Sequence, residues 1–131
     1  MKSTVLFAAF IMLILHTAVA YSQQKEIFLK QLEFKLDRVS DIDYENEYFM
    51  TIKLNKGTSY KFKITNNRDN YAGKAIFELL DADNLILTNT VGEKYFENVG
   101  FVCNKTAFYD ILIKFKDKKP GNSVVDITML Q

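Results

Sequence analysis

Three observations predict an all-β fold, an antiparallel two-sheet β-sandwich of jelly-roll or immunoglobulin-like type. Apolar residues recur at every second position in most segments. Polar or glycine-containing breaks separate those segments at short intervals. No helix-length crossover lies between strands, as a doubly wound fold would need. The clearest unit is Lys74 to Thr90, where Ala75, Phe77 and Leu79 alternate and Leu85 to Leu87 resumes an apolar run. Asp81-Ala82-Asp83-Asn84 makes the tight turn between them, because short Asx side chains suit turn backbones.

The chain opens Met1-Lys2-Ser3-Thr4, then runs apolar from Val5 to Leu15 and reaches Ala18-Val19-Ala20, a small-x-small cleavage pattern. Residues 1–22 therefore read as a secretory signal peptide, too short in its apolar part for a comfortable membrane span. Its removal takes away Lys2 and lowers the formal charge from +1 to 0. A neutral exported chain is a poor bulk partner for nucleic acid, and no stable membrane span survives processing.

Residues 23–47 read as a lead segment and acidic loop. Phe28, Leu32 and Leu36 fit a helix face, whereas Leu32, Phe34 and Leu36 also alternate as a strand would. The expectation is a short helical or irregular lead into a strand beginning near Gln31. Asp37 to Glu47 is acidic and lacks a period. Calcium needs several oxygen ligands, and Asp41 and Asp43 offer them, without EF-hand spacing.

The sandwich domain is expected over 48–131. Met50, Ile52 and Leu54 alternate with Thr51 and Lys53; after Asn55-Lys56-Gly57, Tyr60, Phe62 and Ile64 alternate with Lys61 and Lys63. The pair reads as a hairpin with one buried and one wet face. Asn66 to Gly73 is a loop carrying Tyr71. Val99, Phe101 and Cys103 form a later alternating set, and Tyr109, Ile111, Ile113 and Phe115 form the strongest one. A basic turn with Pro120-Gly121 leads to Val125, Ile127 and Met129, read as a closing strand with a free edge over Val124–Leu130.

Chemistry is sharply bounded. His16, the one histidine, lies in the leader, so no imidazole remains for a Ser–His–Asp or Cys–His mechanism or for histidine-bound zinc. The single cysteine, Cys103, can form no intrachain disulfide and sits in an apolar run that favours burial. No phosphate-binding glycine motif is present. Asp81 and Asp83 are the nearest carboxylate pair, but their turn explains them without catalysis. There is no tryptophan; Tyr71, Tyr95 and Tyr109 are the candidate ligand-binding aromatics.

Tyr60-Lys61-Phe62-Lys63-Ile64, the run from Phe77 to Asn84 and the run from Thr106 to Ile113 together resemble the bacterial pre-peptidase C-terminal domain. Phe101-Val102-Cys103 and Lys119-Pro120-Gly121 resemble segments of small exported Bacteroidetes proteins of unknown function. The first resemblance implies a non-catalytic β-sandwich of the kind appended to secreted proteases, assisting substrate binding, secretion or stability. It also implies calcium near acidic residues in some members, for which Asp81 and Asp83 match only the turn. It carries over no catalytic residue. The expected function is thus a non-enzymatic exported binding or accessory module of the periplasm or envelope, with an envelope protein or glycan as partner. The alternatives are a homo-oligomeric assembly protein that associates through an edge strand and a calcium-stabilised accessory domain.

Overall fold

A computed structural model describes residues 25–66 and 73–131; the stretch expected to be a signal peptide, residues 1–22, and Tyr71 lie outside them. The strands are β1 (Glu26–Leu36), β2 (Glu47–Leu54), β3 (Ser59–Asn66), β4 (Ala75–Asp81), β5 (Asn84–Thr88), β6 (Thr90–Val91), β7 (Lys94–Tyr95), β8 (Asn98–Val102), β9 (Ala107–Phe115) and β10 (Gly121–Leu130). One sheet has the order β1-β10-β3-β8, the facing sheet β2-β9-β4-β5, and β6-β7 forms a small separate hairpin. Every pairing in both sheets is antiparallel. With the chain switching sheets at nearly every connection, this is the eight-stranded jelly roll and not the immunoglobulin order.

Alternation places the core where the sequence predicts it. Tyr60, Phe62 and Ile64 of β3, Ala75, Phe77 and Leu79 of β4, the odd-numbered residues Tyr109 to Phe115 of β9, and Val125 and Ile127 of β10 all point between the sheets and are buried. Phe62 and Phe77 meet across the layers with ring centroids 5.0 Å apart. Each Phe, Leu, Ile or Val side chain among them contributes about 1.5–3 kcal/mol by leaving water. Cys103 joins this core as a free, buried thiol.

The turn after β4 is a two-residue hairpin. Asp81 pairs with Asn84, and Ala82 (φ 46°) and Asp83 (φ 69°) both take left-handed backbone. That geometry matches the twist of the flanking strands, which is why hairpins favour it.

Three expectations are corrected. The lead segment is strand, not helix: β1 is extended from Glu26 and pairs along β10, so Leu32, Phe34 and Leu36 follow the two-residue period, while a register break at Leu29 leaves Phe28 exposed. Second, β2 and β3 are not a hairpin, since β2 pairs with β9 and β3 with β10 and β8. Gly57 (φ 84°) turns the chain, but from one layer to the other. Third, Val124–Leu130 is no edge: β10 is central, bonded to β1 on one side and β3 on the other.

Both outer faces are mixed. On that of the β1 sheet Phe28 and Val102 are exposed, beside Gln31 donating to Asp126 at 2.8 Å and Lys61 paired to Glu26 at 2.6 Å. The outer face of the β2 sheet is similar. Phe49 and Phe108 are exposed there (61% and 68%), beside a Thr51–Asp110 hydrogen bond of 2.9 Å and a Lys114–Glu78 pair at 3.5 Å.

Candidate functional site

After β5 the chain bends at Asn89, runs out and back through β6 and β7, and returns when the Phe96 amide donates to the Asn89 carbonyl at 2.8 Å. Gly92 (φ 61°) supplies the positive φ that this tip requires. Glu97 then accepts from the Ile64 amide at 2.7 Å, which docks the returning strand on the end of β3.

A cleft of about 290 Å³ results, lined by Ile64, Thr65, Asn66, Asn89, Tyr95, Phe96 and Glu97. Asn89 forms its floor. Its Oδ1 accepts from the Phe77 amide at 2.8 Å and its Nδ2 donates to the Ala75 carbonyl at 3.1 Å. This buried side chain does for the start of β4 what a neighbouring strand would do, and it is only 2% exposed. The Tyr95 ring is half-buried and carries two cations: Lys74 Nζ lies 5.4 Å and Lys116 Nζ 5.8 Å from its centroid. Phe96 is exposed at the rim, and Lys63 stands 3.9 Å from Glu97. The cleft joins an aromatic face with amide and hydroxyl groups, and Glu97 is its one charged lining residue. The two lysine ammonium groups stand over the Tyr95 ring, beside the cleft, and it is that flank that can meet a carboxylate or similar anion.

Of the other candidate aromatics, Tyr109 is turned inward. It is 3% exposed, and its hydroxyl donates to the Lys105 carbonyl at 2.6 Å, with Cys103 Sγ at 3.7 Å. Burial first, then the hydrogen bond to the Cys103 thiol, pushes its pKa up to about 12. Phe101 meets it edge-on at 5.6 Å. Those contacts pack it into the core, and it lines neither the cleft beside Tyr95 nor the hollow between β1 and β2.

The four candidate metal-binding aspartates do not gather. Asp81 pairs with Lys105 at 2.8 Å, and Asp43 pairs with Lys118. These pairs sit at opposite ends of the sheet. Asp83 occupies the hairpin turn, and Asp41 is exposed in the loop after β1. Among the described residues no group of three or more acidic, histidine or cysteine side chains is placed to hold a metal ion. The acidic loop is held by other means: Asn46 Oδ1 accepts from the Ser40 amide at 2.8 Å and its Nδ2 donates to the Ser40 carbonyl at 2.9 Å.

The chain shares its fold with two bacterial proteins of known structure. The pre-peptidase C-terminal domain of a collagenase from Bacillus anthracis superposes with a TM-score of 0.56 at 11% identity, covering 75% of this chain and 87% of that one. PliG of Aeromonas hydrophila, a periplasmic inhibitor of g-type lysozyme, gives 0.50 at 10% identity, covering 81% and 85%. At such identities the likeness is one of fold, and nothing in it is specific to Bacteroidetes proteins. No family model matches the sequence. No curated protein matches it either.

Sequence reading singled out Tyr95 but missed Asn89, Lys74 and Lys116. Their one signal is indirect: an asparagine between two threonines, and lysines just outside strands, read as solvent-facing connections. A second opening was also missed. Between β1 and β2, Phe34 and Tyr48 stack with centroids 5.7 Å apart over a hollow of about 280 Å³.

Proposed function

We propose that this protein is a non-catalytic, exported binding or accessory module of the periplasm or cell envelope. Its ligand, an anionic glycan or acidic protein segment of the envelope, is taken by the surface that Tyr95 shares with Lys74 and Lys116 at the mouth of the cleft. The observation that carries the reading is the Tyr95 ring flanked by the Lys74 and Lys116 ammonium groups beside a polar hollow. Aromatic faces and paired cations are the groups by which a surface holds a flat polar ligand with negative charge. The leader pattern supports export, and the absence of histidine after residue 16 supports a binding role over hydrolysis. The fold is one that a peptidase-appended domain and a periplasmic inhibitor also use. No helix among the described residues is long and apolar enough to cross a membrane.

Co-sedimentation of the pure protein with washed envelope fractions tests the reading. Wild type is retained, and Tyr95→Ala and Lys74→Glu each lower retention about tenfold while the melting temperature holds. Retention that neither substitution alters removes the cleft as the binding site.

A further inference from the structure

The sandwich has four edge strands, and three are protected against pairing with another chain. In β1 an extra residue, Leu29, breaks the register between Phe28 and Lys30. Lys30 stands opposite the core residue Ile127, which puts a charge on the core-side face of that edge. In β5 the register breaks at Ile86, between the Leu79–Leu87 and Leu80–Leu85 pairs. Strand β8 has only five residues and contains Gly100. Bulges, inward charges and shortness are the usual devices that blunt an edge. The fourth edge, β2, has none of them: its eight residues pair with β9 in unbroken register from Glu47–Lys114 to Leu54–Ala107.

We propose that β2 is the seam of a two-fold homodimer, pairing antiparallel with β2 of a second copy about an axis through Met50. The sequence of the strand selects that partner and that register. Side chains alternate, so a two-fold antiparallel pair keeps each face together only if the axis passes through a residue. With Met50 on the axis, Glu47 of each copy lies opposite Lys53 of the other on the outer face, and Phe49 lies opposite Thr51. On the inner face Tyr48 meets Ile52, and Met50 meets its own copy. Within the monomer neither Glu47 nor Lys53 has an ion-pair partner among the described residues. One strand thus carries both halves of a symmetric charge code, as a self-complementary interface must. Pairing joins the two four-stranded sheets into one and brings the exposed Phe49 rings beside the partner's strand.

Sedimentation velocity across a concentration series reads the association. Wild type runs as a concentration-dependent dimer that weakens with added salt. Lys53→Glu or Glu47→Lys alone sets like charges opposite each other at two symmetric points and weakens the dimer about tenfold. The double exchange Glu47→Lys/Lys53→Glu restores it. Mild oxidation of Met50→Cys gives a covalent dimer, because residues opposed in an antiparallel pair sit within disulfide range. Thr51→Cys, two residues out of register with its own copy, does not cross-link. A protein that stays monomeric at the highest concentrations overturns the proposal. So does a dimer that ignores both charge reversals, or one that cross-links through Thr51→Cys and not through Met50→Cys.

Discussion

Replacing Asn89 by alanine should be among the most damaging single changes in the molecule, although the residue lies in a bend outside both sheets. The side chain has two bonds to lose, the Phe77 amide at 2.8 Å and the Ala75 carbonyl at 3.1 Å. Both backbone groups belong to residues that are fully buried, so water cannot take over easily. An unsatisfied buried polar group costs about 1–3 kcal/mol, so the pair sets a loss of about 3 kcal/mol. That is a large share of the roughly 5–15 kcal/mol that hold a small domain folded. Urea unfolding followed by fluorescence or circular dichroism should show a midpoint lower by about 1–3 M with an unchanged slope. Hydrogen exchange should show the Phe77 amide losing protection ahead of its neighbours. Asn89→Asp is the informative partner. It keeps the acceptor for Phe77 but turns the donor facing Ala75 into a buried carboxylate oxygen, so it should be weak at neutral pH and recover as acid protonates it. A loss below about 1 kcal/mol for Asn89→Ala would refute the role assigned to this side chain.

Four further outcomes are expected. Ala82→Gly should stabilise by about 0.5–1 kcal/mol in thermal or chemical unfolding, since Ala82 is held at φ 46° and glycine takes that backbone freely. Gly121→Ala should destabilise by about 1–3 kcal/mol in the same assays, because a Cβ there would stand 2.3 Å from the Phe115 ring. For Tyr109, with its folded pKa raised from 10.0 to about 12, the unfolded chain loses its proton first. Stability from this group is therefore complete below about pH 10 and falls as pH rises toward 12; Tyr109→Phe should flatten that alkaline decline in pH-dependent unfolding curves. Calcium or a chelator should leave the melting temperature in place, because Asp43 and Asp81 are already paired to lysines; a rise of several degrees with calcium would bring the acidic residues back as a site.

The layers of this fold were legible because inward positions repeat every second residue, and Phe62, Phe77, Ile111 and Val125 had only one way to be buried. The turn at Ala82-Asp83 was legible because its chemistry is local. Which strand lies beside which was not. A β2–β3 hairpin and a β2–β3 arch bury the same Leu54 and Tyr60, so periodicity cannot separate them. Nor does a position late in the sequence say whether β10 stands at a margin or in the middle. At the cleft, Tyr95 could be read as a tyrosine in a break. Its two lysines come from connections more than twenty residues away in either direction, and only the sheet order brings them together. Asn89 was invisible for a related reason: a polar residue in a bend looks solvent-facing until the backbone it serves is known.

The pairing of β1 with β10, from Glu26–Leu130 to Leu36–Gly121, ties early residues to residues made about a hundred positions later. Until β10 arrives, β1 and β3 have no shared neighbour, and the core side chains Leu32, Phe34 and Phe62 have nothing between them to complete a layer. The sheet of β1, β10, β3 and β8 therefore closes only when the last strand is in place, with the slow, long-range zippering that such pairings impose. Under the export proposed above, that delay is an advantage, since a polypeptide that tightens late is easy to thread, and one that tightens early is not.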